Sequence, residues 1–331
     1  MMREPLRMQS IWRITMLVLM LAAKVPCQIS PETPAPAPTT LRGLPLDSAR
    51  SSGLQTAIAK RDYVAAENLL AEEAAKNPKS QPLLLVLANV LFLDGKQLNS
   101  VLVLKRAELL GPLDERSRFL LALSYVSVGR KNLALSEFEK LVQSNPSNAV
   151  YPYWLSRLTY RKTDLQRALS YAQQAVRLDP KFVKAQDQLG LCYAGLGQHD
   201  EAIRAYQEAI RLNQEQSLHW PWPAMNLGTL YLQLERLDDA EAALRQSLAV
   251  EPQFPVAHLR LGRVLENKNR WIEAVLELKE ASRLDPTYPE PHYALARIYK
   301  KQTDIVSAQQ ELTLFEALRK TDKQKGITRP D

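Results

Sequence analysis

Proline recurs at Pro78, Pro112, Pro146 and Pro180, each 34 residues after the last. A fixed period of this length restricts the chain to an array of identical supersecondary units, because each unit must repeat one local solution to burying its apolar face. The frame set by the prolines gives units 47–80, 81–114, 115–148, 149–182 and 183–216. After a four-residue shift it resumes at 221–254, 255–288 and 289–322, eight units in all. The twentieth place then reads Ala66, Ser100, Ala134, Ala168, Ala202, Ala240, Ala274 and Ala308. The seventh is leucine in every unit but the first, which has Gly53. The eighth is Ala88, Ala122, Ser156, Gly190, Gly228, Gly262 and Ala296, with Leu54 the exception.

Within each unit an apolar pattern of period 3.6 is broken near the fifteenth place by a polar residue or glycine, and a second such pattern follows. The pattern predicts two antiparallel helices. Small side chains at the eighth and twentieth places let the two axes approach closely, so enlarging Ala202 or Ala274 is expected to cost ~1–3 kcal/mol by overpacking. The closing proline ends the second helix and turns the chain into the next unit. Composition agrees: the chain is rich in good helix formers and holds only 11 glycines in 331 residues.

These residues resemble the tetratricopeptide repeat family, most clearly in "QDQLGLCYAGLGQHDEAIRAYQEAIRL", with Leu189, Gly190, Tyr193, Gly197, Ala202, Tyr206 and Ala209 at the pattern positions. The resemblance covers residues 47–322 and implies an all-α fold, a right-handed α-solenoid superhelix of antiparallel helix pairs. It is weakest in the first helix of the first unit, "SARSSGLQTAIAK".

The stretch "SLHWPWPAMNLG", Ser217 to Gly228, interrupts the period. Gln214 stands where the fifth unit should have its proline, and four added residues amount to about one helical turn. The second helix of that unit is therefore expected to run one turn longer. Pro221 and Pro223 restart the next helix, and Trp220 and Trp222 fill the widened joint. A ligand-facing aromatic patch and a boundary between domains are the alternatives.

Outside the array, "MMREPLRMQSIWR" followed by "ITMLVLMLAA" has the basic start and short apolar run of a secretory signal. Residues 1–27 are assigned to it, with cleavage after Cys27 preferred over Ala23. Ten apolar-rich residues are too few for a stable membrane span. Residues 28–46, containing "SPETPAPAPTT", read as an extended proline-rich linker, and 323–331 as a basic tail. The expected location is secreted or periplasmic. Cys192 lies in an apolar helical pattern and reads as an inert buried thiol.

The net charge is +7, from 43 basic and 36 acidic residues. Removing the leader's Arg3, Arg7, Arg13, Lys24 and Glu4 leaves 39 basic against 35 acidic. Of that +4, the stretch from Arg319 to Asp331 supplies +3. A nearly neutral body argues against nucleic acid as a partner. No HExxH, CxxC, CxxCH, glycine-rich phosphate loop or GxSxG is present. His258 and His292 share the fourth place of adjacent units without a carboxylate or cysteine at ligand spacing, which favours packing over metal binding. No catalytic residue, cofactor or metal is expected.

The resemblance implies instead that function lies on the concave face, lined by the second, fifth, ninth, twelfth and thirteenth places of the first helices. Carried over, these places give Phe92 and Phe119 toward the N-terminus and Tyr153, Arg157, Tyr160, Arg161, Trp222 and Met225 in the middle. Toward the C-terminus come Arg263, Arg297, Lys300 and Lys301. Such a groove suits a protein or peptide segment with apolar anchors and acidic residues. The family's clamp for chaperone C-terminal carboxylates is excluded: its closest frame here is Asp187, Leu191, Asn226, Val256 and Arg260, with an acid where the first lysine should be. The expected function is a non-catalytic interaction scaffold in envelope or secretion assembly. Alternatives are an accessory subunit of a glycan- or peptide-modifying enzyme, or a cytoplasmic regulator if the leader is retained.

Overall fold

The computed structural model describes residues 41, 44–160 and 164–325. The proposed leader, nearly all of the linker, Arg161 and residues 326–331 lie outside them. The described residues form sixteen helices and no strand. The chain divides into two compact units, one up to Ser144 and one from Asn145 onward.

The first unit holds α1 (Ser48–Ala59), α2 (Tyr63–Lys76), α3 (Gln81–Leu93), α4 (Gln97–Glu108), α5 (Glu115–Ser127) and α6 (Lys131–Ser144). The second holds α7 (Val150–Thr159), α8 (Leu165–Leu178), α9 (Val183–Gly195), α10 (His199–Glu215) and α11 (Trp222–Gln233). It continues with α12 (Leu237–Val250), α13 (Pro255–Asn267), α14 (Trp271–Leu284), α15 (Pro289–Lys301) and α16 (Ile305–Lys325). Each odd-numbered helix packs most extensively on the even-numbered helix that follows it, so hairpins are the building block.

One backbone conformation closes these hairpins. Arg61, Gly95, Gly129, Gly197, Glu235, Asn269 and Thr303 all have φ between 57° and 76°, and all occupy the fifteenth place of their unit. A left-handed residue after the first helix lets its amide N–H and that of the next residue reach back to the last turn. Gly197 donates to Ala194 O and Gln198 to Tyr193 O, and Thr303 and Asp304 do the same to Lys300 and Tyr299. Three units use glycine for this, whereas Arg61, Glu235 and Thr303 adopt it at a steric cost.

The crossing within a hairpin is tight, but what meets the eighth place is mainly a side chain. A Cβ on Gly228 would lie 2.6 Å from Leu244 Cγ and 3.1 Å from Ala240 O, and one on Gly262 would lie 2.7 Å from Leu278 Cγ. One on Gly190 would meet the Tyr206 ring at 2.5 Å. The eighth place thus seats the residue at the twenty-fourth, and the twentieth contributes its carbonyl. Ser100, in the repeat 81–114, makes the same contact polar, donating its hydroxyl to Ala88 O at 2.8 Å.

The insertion behaves as a long helix and a packed joint. α10 has 17 residues, against 14 in α8, α12 and α14. It ends at Ser217 in a second left-handed turn, φ 52°. Asn213, buried, holds the Trp220 backbone in both directions, donating to its carbonyl at 3.2 Å and accepting from its amide at 3.3 Å. The Trp220 ring packs on Val183, Ala209 and Leu212. Trp222 opens α11 and meets Phe254 edge-on at 5.0 Å. One apolar core runs from Ala202 and Tyr206 through Met225, Leu244, Leu261 and Leu278 to Ile298, so the joint does not interrupt it.

At the C-terminal end, α16 continues to Lys325, three residues into the segment expected to be tail. No helix breaker occurs before Gly326, so nothing stops it sooner.

Two substitutions separate the turn from the crossing. Thr303→Gly relieves a β-branched residue in the left-handed region and should stabilise the chain by about 0.5–1 kcal/mol, after the added freedom of the unfolded chain. Gly228→Ala forces Leu244 aside and should destabilise by ~1–3 kcal/mol. Urea denaturation of both variants measures the pair, and shifts of the same sign would contradict this account.

Candidate functional site

In the second unit, successive first helices touch one another, α7 with α9, α9 with α11, α11 with α13 and α13 with α15; the second helices make no comparable contact. In a stacked array the helices that approach each other lie on the inner side of the curve, so the first helices line the concave face. In the first unit α3 and α5 are related in the same way.

The residues drawn from the sequence fall into three groups. Tyr153 and Met225 are buried, 7% and 5% exposed, and offer a partner little surface. They form backing: Tyr153 packs on Phe182 at 5.1 Å, and Met225 belongs to the continuous core. Phe92, Phe119, Trp222 and Arg263 are half-buried. Phe119 leans edge-on against the buried Phe138 at 5.9 Å, and Trp222 against Phe254. Arg157, Tyr160, Arg297, Lys300 and Lys301 are exposed. Arg161 lies outside the described residues.

Arg157 is positioned by aromatic rings. Its guanidinium sits 4.7 Å from the Trp154 ring centre and 5.7 Å from that of Tyr153, and Nη1 donates to the Tyr153 hydroxyl at 3.4 Å. Stacking of this kind holds a charged head at the surface in a fixed orientation.

The groove read from the sequence consists of aromatic and cationic residues; Asp187 enters it only as the acid that excludes the carboxylate clamp, and Glu266, at an equivalent place, does not enter it. Asp187 occupies the fifth place of its unit, on α9, and is 7% exposed. Its Oδ1 accepts from Asn226 Nδ2 of α11 at 2.8 Å, a polar link between neighbouring first helices. Burial pushes its carboxyl up to about 7, against the smaller opposing effects of Asn226 and Arg157. Glu266, at the twelfth place on α13, is 1% exposed. Its Oε1 accepts from Arg297 Nη2 at 2.9 Å and Lys301 Nζ at 3.2 Å, tying α13 to α15. Lys301 also lies over the Trp271 ring at 4.9 Å. The frame that selected Arg157 and Lys300 contained the signal for both acids.

The two histidines do not meet. His258 Nδ1 pairs with Glu277 Oε2 and His292 Nδ1 with Glu311 Oε2, each at 2.6 Å and each within its own hairpin. The same fourth-to-twenty-third-place link appears in the first unit as Arg118 with Glu137 at 2.7 Å. Burial acts to lower the His258 pKa, but Glu277 and the Pro252 carbonyl together outweigh it and the net shift is upward. Cys192 is buried beside Ser156, and burial pushes its thiol up, away from reactivity.

Asp187 gives a pH signature. Its folded-state pKa lies above its unfolded value, so its favourable contribution is complete below about 4 and is lost as pH rises through about 7. Asp187→Asn removes that loss. Thermal melts should show the variant equal to wild type near pH 4 and more stable at pH 8, by up to a few kcal/mol. A difference that does not change with pH would refute the burial of an ionisable carboxylate there.

Comparison with known proteins places this architecture. Residues 101–328 match the family model described as "Cilia and flagella-associated protein 70 C-terminal domain", a tetratricopeptide-repeat domain. The small glutamine-rich tetratricopeptide repeat-containing protein 2 of Mycosarcoma maydis is 30% identical over 80 residues, 24% of this chain and 23% of that protein. The chain thus spans less than a quarter of that relative's length. A tetratricopeptide repeat protein from Parabacteroides merdae superposes with a TM-score of 0.62 at 17% identity, over 81% of this chain and 98% of that one. Yeast Tom70 does so at 0.61 and 17% identity, over 86% of this chain and 67% of that one. At such identities the two structures establish the fold alone. With hairpins, left-handed closures and a family match over more than half its length, the chain belongs to the tetratricopeptide-repeat family of that C-terminal domain.

Proposed function

We propose that the chain is a non-catalytic scaffold whose second unit holds a segment of a partner protein against its first helices. The tetratricopeptide-repeat fold supports protein interaction as the general role. The observation that carries the specific reading is that Arg157, Arg297, Lys300 and Lys301 stand exposed on first helices, with Arg157 laid on the Trp154 and Tyr153 rings and Lys301 over Trp271. Aromatic backing beneath an arginine is the usual make-up of an interaction hot spot, where truncation costs ~2 kcal/mol or more. Apolar anchors with acidic neighbours match it in a partner.

The place of action rests on sequence. The basic start and apolar run of residues 1–27 favour an exported protein, working in envelope or secretion assembly once the leader is removed. Among the described residues no helix is long and apolar enough to cross a membrane. The matched family takes its name from a cilia- and flagella-associated protein, but the match itself is to repeats, which carry no cellular address.

Affinity capture with wild type and with Arg157→Glu/Tyr160→Ala tests the groove. The variant should lose at least tenfold of a partner's recovery while melting as wild type does, and equal recovery of every partner would remove the assignment. Fractionation with N-terminal sequencing of the mature chain tests export, and an intact Met1 in the soluble cytoplasmic fraction would overturn it.

A further inference from the structure

The concave face of the second unit is not uniformly cationic. At one end Asp187 is a nearly buried carboxylate whose hydrogen bond, among the described residues, is the single one from Asn226. Arg157 on the preceding first helix does not come within ion-pair distance of it, being held on the Trp154 and Tyr153 rings. One neutral donor is poor compensation for a carboxylate taken out of water, and a charge-assisted bond from a ligand would be worth more here than at an exposed acid. Three helix intervals away, Arg297 and Lys301 share one carboxylate, Glu266, and Lys300 stands exposed beside them, so three cations there face one acid. Glu290, the one acid within α15, lies about 10 Å nearer the helix start than Arg297.

From this we propose that the groove reads the order of charge along its ligand. Asp187 receives a lysine, arginine or other N–H-bearing side chain, Arg297, Lys300 and Lys301 receive acidic residues, and the segment therefore lies in one direction only. This rests on the reading of the concave face as the ligand-bearing surface. Three intervals of 8–10 Å place the two spots about 25–30 Å apart, and an extended chain covers that in about eight residues. The ligand class is thus a peptide segment with a basic residue and an acidic pair separated by about that many positions. Neither charge alone fixes a direction; the two together do, because reversal sets like charges against each other at both ends.

Selection of random 16-residue peptides on the immobilised chain tests the idea without a known partner. Enriched peptides should carry a basic residue and acidic residues six to nine positions apart, always in the same order. For a synthetic winner followed by fluorescence anisotropy, changing its basic residue to glutamine should weaken binding to wild type about tenfold. Against Asp187→Asn the same change should matter less than twofold. Lys300→Glu/Lys301→Glu should abolish the preference for acid at the other end. The peptide substitution on wild type decides the matter even if Asp187→Asn fails to fold. Enrichment of peptides with no fixed charge order would overturn this inference and leave the scaffold reading standing. No enrichment at all would overturn both.

Discussion

The structure depends on how closely two helices can cross. In the later hairpins a glycine at the eighth place gives up its own side chain so that Leu244 or Leu278 can seat against bare backbone. Alanine at the twentieth place, fully buried in Ala202, Ala240 and Ala274, keeps the opposing helix equally lean. A hairpin closed this way still has apolar residues uncovered on both flanks, and only another hairpin of the same shape can cover them. Stacking is therefore a consequence of the crossing. So is the concave face, since first helices that approach one another must form the inner wall.

What the inner wall does with polar groups follows from that geometry. Side chains that face across from one first helix to the next are partly removed from water, so their pairs bridge units: Asp187 with Asn226, and Glu266 with Arg297 and Lys301. The links inside hairpins, such as His258 with Glu277, fasten each building block. The inter-unit links instead lie on the surface that a partner would cover. A partner that supplied a donor to Asp187 or a carboxylate to Lys301 would therefore act on groups that also hold neighbouring units together. On the proposed reading, binding and the stiffness of the stack would share the same residues.

Much of this was legible in the chain because a repeat multiplies weak signals. One alanine means little, but Ala202, Ala240, Ala274 and Ala308 at a common place define the crossing. The fifteenth-place break was legible as a break, yet its left-handed backbone was hidden where Arg61, Glu235 or Thr303 replaces glycine. The site was less legible for a physical reason. Place in a unit tells which way a side chain starts, and not how much its neighbours cover, so Tyr153 and Met225 share a face with Arg157 but are buried. Charge is hidden in the same way: nothing in its place within the repeat shows that Glu266 is buried, because its partners Arg297 and Lys301 come from the next repeat.

The insertion shows why the face survives a change in period. Four residues turn a helix through about 400°, which brings its side chains back to within roughly 40° of their former direction. Three residues would leave them about 60° away, and five about 140°. The joint that follows the longer α10 is filled by aromatic side chains. Trp220, with its backbone held by Asn213, and Trp222, set against Phe254, occupy it, and the core continues through Met225 to Ile298. Asp187 before the joint and Asn226 after it remain in hydrogen-bond contact, which requires that α9 and α11 still present the same side. On the proposed reading, the tryptophans would serve the groove indirectly: by filling the joint, they would keep Asp187 on α9 and the cations of α15 on a single wall.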